Sequence, residues 1–168
     1  FQSLVGDRPV PWDLLVKDVP DDKKQDLEYI VSMLDWNLNL DPDFVKNRFM
    51  EPRPVRPVAE MAKEGYIEKW VAYRSKDFCA KELTVLPAQS VTIKDAACYG
   101  FIMVQGHGTL GPHKIEAHHM IRFGQLTNDE FFVTESAAKA GVKITNDSPS
   151  EPLVMLKHFG PGNPDLKI

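Results

Sequence analysis

Four of the chain's five histidines fall between Tyr99 and Gly124: His107, His113, His118 and His119. Imidazole nitrogens together with carboxylate oxygens suit a divalent metal such as Zn, Fe, Mn or Ni. Glu82, Glu116 and Asp129 are the acidic residues that could complete such a set. The spacing weighs against a four-histidine centre. His118 and His119 are adjacent, so in a strand their side chains leave on opposite faces. His107 lies between Gly106 and Gly108 and His113 follows Gly111–Pro112, two turn positions that are commonly solvated. What survives as a metal expectation is His119 with Asp129. His158 stands apart: it follows the apolar run Leu153 to Leu156 in MLKHFG and is expected at the mouth of an interior space.

Other polar residues that could do chemistry lie in strand-like segments. Lys81 and Glu82 are neighbours in CAKELTV, so alternation sends one inward and one outward. An inward charge needs a partner or a wet cavity. Arg122, in MIRFG, carries a planar donor fork that matches phosphate or carboxylate and equally suits a rim salt bridge. Tyr66, Trp70, Tyr73 and Tyr99 are aromatic residues for a ligand cavity or for ordinary packing. No GxGxxG fingerprint, P-loop, GxSxG elbow, HExxH or EF-hand loop is present. The two cysteines, Cys79 and Cys98, have no zinc-site spacing and read as buried free thiols.

The elements that must position these residues change character along the chain. The first twenty residues are irregular, with Pro9, Pro11 and Pro20. A helix is expected over about residues 22–34, where Leu27, Ile30, Val31 and Leu34 share one face and Asp21 or Asp22 caps the start. LDPDFVKNRF suggests a short helical turn with Asp41 as cap and Pro42 at its first position. EPRPVRP threads irregularly, and VAEMAKEG adds a turn closed by Gly65. From GYIEKWVAYRS onward come short segments rich in β-branched and aromatic residues, separated by Gly, Pro, Asn and Asp. ESAAKAG reads as one helical turn between strands, ended by Gly141. The expected organisation is a helical and irregular extension over 1–65, packed on a β-barrel domain over 66–168.

The 168 residues suffice for one core of real size. A net charge of −4 argues against a nucleic-acid scaffold. No apolar run is long enough for a bilayer and no signal peptide opens the chain, so a cytoplasmic protein is expected, without a membrane partner. The chain starts at Phe1 and reads as a processed form or a piece of a longer protein.

LTVLPAQSVTIKDAACYGFIMVQGHGTL, followed by IRFGQLTNDEFFV and GVKITNDSPSEPLVMLKHF, resembles the cupin superfamily, a double-stranded β-helix or jelly-roll barrel. Pro87–Ala88 stands at the family's first turn, Gly106 and Gly108 at the turn after the strand FIMVQ, and Asn146 near its closing asparagine. The ligand slots depart from the pattern: where the family commonly has histidine, any residue, histidine, this chain has Lys94–Asp95–Ala96. The third histidine's place holds Gly141 and Val142. The resemblance therefore implies a non-standard cupin that binds a small polar molecule in its barrel, and a homodimer through its sheets. One expectation is a sugar or sugar-phosphate isomerase, with Glu82 or His158 as base, Lys81 or Arg122 as cationic group, Tyr99 against the ligand, and Asp129 or His119 as supporting ligand. The other is a non-catalytic binding or assembly module.

Overall fold

A computed structural model describes residues 4–5, 8–9, 11–117, 124 and 126–167. The chain divides into two compact units, Phe1–Phe49 and Met50–Ile168. Residues 50–65, read from sequence with the extension, thus cluster with the β-rich unit.

The first unit holds a two-residue pair of strands, β1 (Leu4–Val5) and β2 (Arg8–Pro9), and four short helices. These are α1 (Trp12–Leu15), α2 (Leu27–Ser32), α3 (Trp36–Asn39) and α4 (Phe44–Arg48). The single helix expected from residue 22 is shorter because Asp26 interrupts it. The Asp26 carboxylate accepts from Tyr29 N–H at 3.0 Å and so starts α2, behind a separate 3₁₀ turn at Asp21–Lys23. Asp35 repeats the device for α3, accepting from Leu38 N–H.

The second unit begins with β3 (Arg53–Pro54) and α5 (Val58–Lys63), which Gly65 ends at φ 92°. Among the described residues nine further strands follow: β4 (Tyr66–Ala72), β5 (Cys79–Val85), β6 (Ser90–Ile93), β7 (Tyr99–Gln105), β8 (His107–Leu110), β9 (His113–Glu116), β10 (Glu130–Val133), β11 (Val142–Asn146) and β12 (Leu153–Phe159). The turn α6 (Glu135–Ala140) separates β10 from β11, as ESAAKAG suggested. Thr134 caps it and Gly141 ends it at φ 103°.

Two antiparallel sheets result, in the orders β10-β7-β12-β5-β4-β3 and β6-β11-β8-β9. From β5 to β12 successive strands change sheet, except for the β8–β9 hairpin, so that each sheet interleaves early and late strands, which is the jelly-roll arrangement of cupins. The fold is therefore mainly β and cupin-like. Alternation decides what each strand turns inward. Leu83 and Val85, Phe101 and Met103, Leu153 and Met155, with Ile144 and Ile115 from the facing sheet, form one apolar cluster. Each such side chain contributes about 1.5–3 kcal/mol by leaving water.

The turns at Ala88, Gly108 and Asn146 are built tightly. Ala88 takes φ 56°, the left-handed conformation that glycine normally supplies at such a turn. Asn146 is buried, donates its amide to the carbonyls of Val85, Leu86 and Glu151, and accepts from Ser148 N–H. It thereby ties β5 to the turn that leads into β12. At Gly108 a Cβ would lie 2.0 Å from the Thr145 carbonyl oxygen, because β11 passes there without room for a side chain. Gly108→Ala is expected to cost about 2 kcal/mol through displaced β8–β11 pairing. Urea unfolding measures it, and a cost near zero would mean that β8 and β11 lie farther apart.

Candidate functional site

Strand alternation places two lysines inside the barrel, on adjacent strands and directly opposite one another. Lys81 on β5 and Lys157 on β12 are register partners, and their side chains are 4% and 0% exposed. Like charges facing across a sheet repel, and a buried ammonium without a partner is strongly unfavourable. Two carboxylates resolve the conflict. Asp95, just after β6, receives Lys81 at 2.7 Å on Oδ1 and Lys157 at 2.6 Å on Oδ2. Glu68, inward on β4, meets Lys157 at 2.5 Å through Oε1 and Lys81 at 3.6 Å through Oε2. The four groups form a closed ring of alternating charge in which each carboxylate bridges both ammonium groups.

Aromatic rings wall this ring of charges. Lys81 Nζ lies 4.7 Å from the Trp70 ring centre and 5.2 Å from that of Phe159. Lys157 Nζ lies 4.9 Å from the Tyr99 ring. Such faces favour a cation that has lost its water. Burial pulls the Lys81 pKa down, but Glu68, Asp95 and the more exposed Asp165 outweigh it, so Lys81 is held above its ordinary value and stays protonated. Burial, with Asp95 and Glu68 adding to it, raises the Tyr99 phenol. The buried Tyr99 hydroxyl has no hydrogen-bond partner among the described residues.

The ring opens on one side to a cavity of ≈370 Å³. Its buried wall is made by Glu68, Trp70 and Lys81, with Tyr66 half-buried beside them. Arg56, Lys94 and Lys167, all exposed, stand at its edge. The segment after β12 returns across this opening: Asp165 accepts from Ala96 N–H at 2.9 Å and lies 3.8 Å from Lys81 Nζ. Arg56 is already engaged, donating to Glu64 and to the Tyr66 hydroxyl.

The residues singled out from sequence fare unequally. Lys81 and Tyr99 are interior and touch the same charged centre. His158 is not interior: Lys157 and Phe159 take the inward positions of β12, which turns His158 to the exposed outer face opposite Ala80 and Gly100. Glu82 is likewise on the outer face of β5, half-buried between Lys69 and Leu156, because its neighbour Lys81 points inward. Neither converges with Lys81 on the cavity. Asp129 is half-buried beside Thr127, which donates to its carboxylate. His107, His113 and Glu116 are exposed. His119 and Arg122 lie outside the described residues, as does His118. Glu68, Asp95 and Lys157 belong to this charged centre and were not singled out from the sequence. A signal for Lys157 was present, since Leu153, Met155, Lys157 and Phe159 share one face of β12.

A divalent metal does not fit this centre. Both Asp95 oxygens face ammonium groups, and two lysines occupy the space a cation would need. Among the described residues no group of three or more His, Cys, Asp or Glu side chains could hold a metal ion. No helix among them is long and apolar enough to cross a membrane.

No family model matches the sequence, and no curated protein matches it. Among solved structures, the chain is similar to an RmlC-like cupin protein from Ralstonia eutropha JMP134, at 10% identity and TM-score 0.44, over 73% of this chain and 67% of that one. It is similar to KdgF from Halomonas sp. at 16% identity and TM-score 0.41, over 70% and 94% of the two chains. A third similarity is to the Rhodobacter sphaeroides complex of SigE with the anti-sigma ChrR, at 10% identity and TM-score 0.43, where it spans 57% of this chain and only 44% of that one.

Proposed function

We propose that this protein binds a small polar, hydroxyl-bearing molecule, a sugar or sugar derivative, in the cavity beside Lys81 and Glu68. The observation that carries this reading is the composition of the cavity wall. An aromatic face at Trp70 adjoins a fixed ammonium and a fixed carboxylate, which together offer a stacking surface, donors and acceptors at one place. The charges are preorganised by the ring with Asp95 and Lys157, so a ligand meets them without ordering flexible side chains.

A second reading, sugar isomerisation, rests on Lys81 being protonated beside a carboxylate. Lys81 would hydrogen-bond the carbonyl oxygen while Glu68 took a proton from the neighbouring hydroxyl-bearing carbon and returned it to the carbonyl carbon, the hydroxyl proton passing from one oxygen to the other. The geometry favours binding over catalysis. Both Glu68 oxygens already face ammonium groups, and proton abstraction would have to break the ring.

Calorimetric titration with a panel of neutral and acidic monosaccharides tests the first reading. Binding is expected, weakened about tenfold in Trp70→Leu by loss of the aromatic wall. A panel without a single binder would sink it. Proton exchange at the carbon next to the carbonyl, followed by NMR in D₂O, decides the second. Exchange in the intact protein, abolished in Glu68→Gln, would make it an enzyme.

A further inference from the structure

The charges around the cavity do not balance once their internal pairs are accounted for. Arg56 is matched by Glu64, and the ring of Lys81, Lys157, Glu68 and Asp95 is neutral in itself. Lys94 and Lys167 take part in no ion pair among the described residues, yet both line the cavity. Among the described lining residues, only Asp165 stands against them. An acidic chain, at −4 overall, therefore carries a locally positive cavity.

Asp165 shows what such a cavity holds. Its carboxylate accepts from the Ala96 N–H and lies near Lys81, one neutral donor and one ammonium converging on an anion. The side chain remains 38% exposed. Its backbone is held separately, through Asp165 N–H to the side chain of the buried Asn163, so the carboxylate can leave without unravelling the turn. We infer that the cavity selects a small molecule carrying a carboxylate or phosphate, and that Asp165 occupies the place of that group until the ligand displaces it. The inference rests on the ligand-binding reading above and adds the charge class of the ligand and an internal competitor.

The test is calorimetric titration of D-glucose, D-glucuronate and D-glucose 6-phosphate, at low salt, into the whole protein and into Asp165→Asn. Asparagine keeps an acceptor for Ala96 N–H, and circular dichroism checks that the fold is retained. At least one anionic sugar is expected to bind about tenfold more tightly than glucose, and Asp165→Asn to tighten it about fivefold further. Glucose should change by less than about twofold, because it gains no charge contact. Whether glucuronate or glucose 6-phosphate binds better tells carboxylate from phosphate. In the pair Lys94→Gln/Lys167→Gln, which keeps the ring intact, the preference for the anion should shrink about tenfold, and this arm decides if Asp165→Asn fails to fold. Equal affinity for glucose and both anions, or a preference that the lysine pair leaves unchanged, overturns the inference and leaves the ligand reading standing. Absence of binding by all three sugars in every variant overturns both.

Discussion

Lys157→Met is expected to destabilise the protein by about 3–5 kcal/mol, the largest effect of any single substitution discussed. Methionine fits the volume, so packing is not what is lost. What remains is a buried Asp95 carboxylate deprived of one of its two ammonium partners and a Glu68 carboxylate deprived of its shorter one. The cost is that of leaving charge unpaired, rather than the net worth of the pairs themselves. That distinction has its own signature. Lys157→Met combined with Asp95→Asn removes one charge of each sign and leaves Lys81 beside Glu68, so it should cost clearly less than the two single changes added together. Urea denaturation of the three variants measures the coupling, expected at about 1–3 kcal/mol. Strict additivity would mean that the four groups do not act as one ring. The same ring makes the β-sheet choose its register, since a one-residue slip of β12 would bury His158 and expose Lys157.

How much of this was legible in the chain follows from which signals are local. The β-rich half, the turn at Pro87–Ala88, the glycines at 106 and 108 and the closing role of Asn146 are written in short segments, and the cupin-like order of strands agrees with them. Lys81 was within reach too: Cys79, Leu83 and Val85 share its face, whereas Ala80, Glu82 and Thr84 make a more polar one. His158 misled because both faces of LVMLKHF are apolar near their start, and proximity to an apolar run does not tell which face a residue takes. The ring itself could not be read locally. Lys81 meets Lys157 only through the β5–β12 pairing, Asp95 arrives from the loop after β6, and Glu68 looks like a surface charge in YIEKW until β4 is laid beside β5. The histidine cluster, in turn, drew attention to the stretch with the most ligand-like residue types, while the charged centre of the fold is made of lysines and carboxylates.

Alkaline pH is expected to unfold the protein from the same centre. Lys81 in the folded state is raised above its ordinary 10.5, with burial opposing and Glu68, Asp95 and Asp165 prevailing. Tyr99 is raised above its ordinary 10.0, chiefly by burial, with Asp95 and Glu68 adding to it. For both groups the folded chain keeps a proton that the unfolded chain has begun to release. Their contribution to stability is therefore full below about pH 10 and is lost as pH climbs through the folded values. While both are in that window, stability should fall as pH rises, each group adding at most one proton's worth, about 1.4 kcal/mol per pH unit. Tyr99→Phe isolates the two. It removes a buried hydroxyl that has no partner among the described residues, so at neutral pH it should cost little or stabilise slightly, and above about pH 10 it should make the slope shallower. The measurement is the urea midpoint of both proteins between pH 8 and 12, ranges chosen to straddle the roughly pH 10 onset set by the ordinary values. A flat profile to pH 12 in the intact protein would mean that neither proton is bound more tightly on folding. An unchanged slope in Tyr99→Phe would mean that the Tyr99 proton is not bound more tightly on folding.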